Sequence, residues 1–112
     1  IWEVYAQFEE ALAEAKVSLA ITERDYAQAD LARARARLTL MYAQTAVRHD
    51  FKLYDLAPLI TQAEQASERA LSLRRAISPA RAAVAKAADQ WWDAYLRLDQ
   101  AGRAFWVSEF GR

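Results

Sequence analysis

From Leu56 onward, apolar or small residues recur at alternating steps of three and four. The run is Leu56, Leu59, Ala63, Ala66, Ala70, Leu73, Ile77, Ala80, Val84, Ala87, Trp91, Ala94, Leu98, Ala101 and Phe105. That spacing lines one stripe of a helix. The register does not slip at Pro79. Ser78-Pro79 alone would make a good helix start, with Ser as cap and Pro at the first helical position. A reversal there would need roughly two to eight connecting residues, and the flanks offer neither Gly nor a polar loop. The pattern predicts one arm over about 56–109, kinked or briefly broken near 78–79.

The first half carries a stripe of Tyr5, Phe8, Leu12, Ala15 and Leu19, then a second of Ala27, Leu31, Ala34, Leu38 and Met41. Two steps of four, through Glu23, separate the stripes and read as a stutter. Arm one spans about 2–48. A turn over about 49–55 follows, within "HDFKLYDLAP", where Asp50, Asp55 and Pro58 supply the turn and restart signals. Asp55 is the expected cap of the second arm. Folding at about residue 52 brings the stutter opposite Pro79, as though both arms bend together. The expected fold is all-α: a long antiparallel, coiled-coil-like hairpin forming a single helical domain over 1–112. Its Ala-rich seam buries little area per layer, so the hairpin is expected to complete a bundle by self-association or with partner helices.

Composition narrows the chemistry. Only two Gly and two Pro occur in 112 residues, which argues against any sheet. The absence of Cys removes disulfides, thiolate catalysis and Cys-ligated zinc, and suits cytosol and periplasm alike. Lys plus Arg balance Asp plus Glu at 15 each, so no global field draws nucleic acid or anionic lipid. No apolar run approaches the roughly 18 residues of a membrane-spanning helix. Ile1 in place of Met suits an excised or processed segment, so a missing signal peptide or flanking membrane helix carries no information.

Charge is uneven along the chain. Residues 1–32 hold seven acids and two bases, and residues 33–81 hold nine bases and four acids. Arg33, Arg35 and Arg37 alternate by two, which spreads them over different helix faces and argues against a nucleic-acid stripe. Glu10, Glu14, Asp89 and Asp93 fall at one level of the hairpin, but no Glu-x-x-His accompanies them, and Arg97 stands one turn after Asp93 as an ion-pair partner. The single His, His49, sits at the turn, far from any serine nucleophile. Gly102 either admits a close neighbour or loosens the last turns. No catalytic, metal or cofactor-binding residue is expected.

All four tryptophans fall at the end of the hairpin away from the turn, with Tyr5, Phe8, Tyr95, Phe105 and Phe110. Trp91 and Trp92 point about 100° apart on a helix, so one seam cannot bury both. Trp2, Trp92, Tyr95, Trp106 and Phe110 are therefore the candidate interface residues, for a protein contact or for proximity to a membrane surface.

The long hairpin resembles those of periplasmic adaptor proteins of efflux and secretion systems, although "RHDFKLYDLAP" does not reproduce their Arg, Leu and Ser tip pattern. "SPARAAVAKAADQWWDAYLRLDQAGRAF" is faintly similar to helices of membrane-tethered bacterial sensor bundles. Both likenesses rest on Ala-rich periodicity, and neither assigns a family. The expectation is a non-enzymatic helical interaction or assembly module. The alternative is the extracytoplasmic helical-bundle sensor domain of a membrane-tethered receptor.

Overall fold

In the computed structural model, which describes residues 2–50 and 55–111, the chain forms two helices, α1 over Trp2–Asp50 and α2 over Ala57–Phe110. There is no strand among the described residues. The two helices pack against each other as a helical hairpin. Their contacts divide into two units. One joins Ile1–Ala20 to Pro79–Arg112, and the other is Ile21–Ser78.

No Gly or Pro interrupts α1, so every interior amide can join the helical ladder. Residues 51–54 of the expected turn lie outside the described residues, and α1 runs to Asp50, two residues beyond the expected end. The start of α2 is held as expected: the Ala57 N–H donates to Asp55 Oδ1 at 3.0 Å, and the Ile60 N–H reaches the Leu56 carbonyl at 2.9 Å. Pro58 follows inside the first turn, where a missing N–H costs nothing.

Helix α2 continues through Pro79. Of the kink or brief break expected near 78–79, the break does not occur. The heptad spacing explains why, since Ile77, Ala80 and Val84 keep their places on the packed stripe across the proline. Every predicted α2 stripe position from Leu56 to Ala101 is buried or half-buried, and only Phe105 is exposed.

Helix α1 departs from expectation. Tyr5, Phe8, Leu12, Ala15 and Leu19 are packed as predicted, but Ala27, Leu31, Ala34, Leu38 and Met41 are all exposed. The packed stripe instead continues through Thr22, Tyr26, Ala29, Arg33, Ala36, Leu40, Ala43 and Val47, in unbroken steps of three and four. There is no stutter, and so nothing for Pro79 to face. An unbroken heptad on α2 requires the same period on α1, because a stutter in one arm alone would rotate its face away from the seam. Polar Thr22 and Arg33 occupy the seam for that reason, and Leu31 and Leu38 stay outside. Apolar residues thus lie on opposed sides of α1, and their periodicity nearly cancels over its length, whereas α2 keeps a net apolar side.

Candidate interaction surfaces

The unit containing both chain ends is organised by aromatic rings. Tyr5 of α1 meets Trp91 of α2 at a centroid distance of 6.1 Å, and Trp2 stands edge-on to Tyr5 at 6.4 Å. Tyr95 stacks on Trp91 at 5.7 Å and on Trp92 at 5.5 Å, both with planes inclined by 19°. Spacings of four and three along α2 produce these stacks. Trp91 is half-buried in the seam, while Trp92 stays 52 % exposed, as the 100° offset requires. The result is an aromatic shelf facing solvent.

Of the sequence-predicted interface residues, Trp2, Trp92 and Tyr95 are exposed and joined through these ring contacts. Trp106 is exposed further along α2, and the side chain of Phe110 lies outside the described residues. Phe105, expected in the seam, is exposed because α2 extends beyond the level of Trp2: Val4 already shares a groove with Arg97.

That groove, of about 380 Å³, is lined by Val4, Phe8, Gln90, Asp93, Ala94 and Arg97. Asp93 and Arg97 both border it without pairing, and the ion pair one turn apart forms at Asp99–Arg103 instead, 3.2 Å. Glu10, Glu14, Asp89 and Asp93 are exposed, and among the described residues no group of three or more His, Asp or Glu side chains gathers as for a metal. A Cβ added at Gly102 would have no neighbour within 4 Å, so this glycine serves no close approach within the chain.

In the other unit the seam is thin. Ala29, Ala63 and Ala70 are its buried residues among those described, and Arg33 enters as a half-buried guanidinium held by Asp30, with Nε at 2.9 Å and Nη2 at 2.7 Å from Oδ1. A groove of about 400 Å³ lies beside it, lined by Tyr26, Arg33, Ser67, Ala70, Leu71 and Arg74. Arg35 and Arg37 are exposed, so the three arginines do divide between faces.

The outer side of α1 in this unit carries the stripe Ala27, Leu31, Ala34, Leu38 and Met41 that the spacing places in the seam. Ile21, Leu31, Leu38, Met41 and Tyr42 are exposed there, with Ala27 and Ala34 between the larger residues. The signal that could have located it was already present: two apolar stripes, two positions out of phase, on one helix.

No family model, curated protein or solved structure matches the chain, so function is read from these surfaces alone. No helix among the described residues is long and apolar enough to cross a membrane.

Proposed function

We propose that this chain is a non-enzymatic assembly module that acts by helix–helix association, through the aromatic shelf and the outer face of α1. One observation carries this reading: the buried core among the described residues is five alanines, while sixteen large hydrophobic side chains are exposed. An alanine core gains little from burial, at about 25 cal/mol per Å² of apolar surface. The chain exposes 8937 Å² in all, against about 6,200 Å² for a folded monomer of its mass. Partner helices laid on these surfaces supply the missing burial.

Thermal unfolding of the isolated chain across a concentration series, with mass followed by sedimentation, tests the reading. A weakly cooperative monomer, or a melting temperature that rises as mass rises, supports it. A monomer that unfolds cooperatively and at high temperature at every concentration would show that no partner is needed.

A second reading rests on Trp2, Trp92 and Trp106, exposed in one unit as aromatic residues are at a bilayer interface. The sensor-bundle alternative would use them there. Co-sedimentation with zwitterionic vesicles, lost in Trp92→Ala, would support it, and no co-sedimentation of the unaltered chain would remove it.

A further inference from the structure

We infer that the outer face of α1 over residues 17–41, where Val17 is also exposed, docks on the same face of a second copy of this chain, antiparallel, about a two-fold axis at the level of residue 29. The inference rests on the association reading above and names its partner.

The face is a second seam. Leu31, Leu38 and Met41 are 50, 48 and 56 % exposed. With Ala27 and Ala34 they recur at steps of four and three on the side of α1 turned away from the packed stripe. Such spacing is what a helix needs to lie along another at a shallow angle.

Size and charge choose the partner's direction. In the antiparallel alignment Ala27 lies opposite Leu31 of the second copy and Ala20 opposite its Leu38, so each of these leucines meets an alanine, while Val17 lies opposite Met41 and Arg24 opposite Ala34. A parallel alignment would stack Leu31 on Leu31 and leave Ala27 facing Ala27, overpacking one layer and leaving a void in the next.

Residues 21–30 carry Glu23, Asp25 and Asp30 against Arg24, and residues 31–48 carry Arg33, Arg35, Arg37 and Arg48 with no acid. A parallel pair would set the arginine stretches side by side. The antiparallel pair crosses them, bringing Arg37 of one copy to the level of Glu23 of the other, twice by symmetry. Asp30 approaches its own counterpart near the axis, but each is already held by Arg33 of its own chain. Because both copies use the same patch, the contact closes at a pair and does not propagate.

The chain has no cysteine, so single-cysteine variants report on the pairing directly. Gln28→Cys, beside the axis, should cross-link to itself readily under mild oxidation. Met41→Cys should not, because antiparallel pairing carries it away from its own counterpart. Leu31→Glu should weaken self-association at least thirty-fold, about the effect of one interface hot spot. Its helical content when dilute should be unchanged, and Leu38→Glu provides a second variant of the same face should Leu31→Glu lose its helix. Equal cross-linking at both cysteines would overturn the antiparallel pairing. Association that survives both glutamate variants but is lost in Trp92→Ala would move the contact to the aromatic shelf and overturn the inference while leaving the association reading intact. A weakly cooperative chain that stays monomeric would overturn only the second copy as partner, and a robust monomer would overturn both.

Discussion

Tyr5 and Trp91, from opposite helices, stand 6.1 Å apart by ring centroid with planes inclined by 46°. Trp92, the next residue along α2, has its ring 5.9 Å from that of Trp91 yet remains largely in solvent. Trp91→Ala removes contacts to Tyr5, Trp92 and Tyr95 and should cost about 2 to 3 kcal/mol, below the 3 to 5 of a fully buried tryptophan. Trp92→Ala loses the Tyr95 stack and its contact with Trp91, and should cost about 1 kcal/mol or less. Denaturant melts of both variants decide the matter; equal losses would place Trp92 in the core.

Ala70 is 4 % exposed in the seam, and Ala34 is exposed on the far side of α1. Ala70→Leu should overpack the contact and cost about 1 to 3 kcal/mol. Ala34→Leu, measured dilute enough that copies are apart, should stay within about 0.5 kcal/mol of the parent. A larger cost at Ala34 than at Ala70 would return the seam to the other stripe of α1.

Pro79 lies inside an uninterrupted helix and is itself exposed. Its ring lacks the donor that the Arg75 carbonyl would otherwise receive. Pro79→Ala restores that bond and should raise stability by about 1 to 3 kcal/mol. A thermal melt shifted downward would show that the proline is required, and not merely tolerated.

The carboxylate of Asp55 accepts the Ala57 N–H at the start of α2. Asp55→Ala should cost about 0.5 to 2 kcal/mol, and Asp55→Asn, which keeps the acceptor, should recover most of it. Fraying at this end can be followed by amide hydrogen exchange at Ala57 and Leu59; equal exchange in all three proteins would remove Asp55 as the cap.

The residues alone determined the helical character, the reversal after α1, the cap at Asp55 and the packed stripe of α2 from Leu56 to Ala101, though not the exposure of Phe105. Few turn formers and a regular three-four period leave a chain of this kind little else to become. The offset of Trp91 from Trp92 was legible too, because it follows from helix pitch.

Only the packed structure decided which of two stripes α1 turns inward. Leu31 and Leu38 are the better core residues by hydrophobicity, and a sequence reading follows them. Packing follows phase instead: α2 presents an unbroken heptad, and α1 can remain against it only by keeping Tyr26, Ala29, Arg33 and Ala36 in the seam. Arg33 is tolerated there because Asp30, one turn back, neutralises it from the same helix. That choice between stripes is a long-range effect of one helix on the other. It leaves Leu31 and Leu38 of α1 outside, on the face where a second copy can meet them.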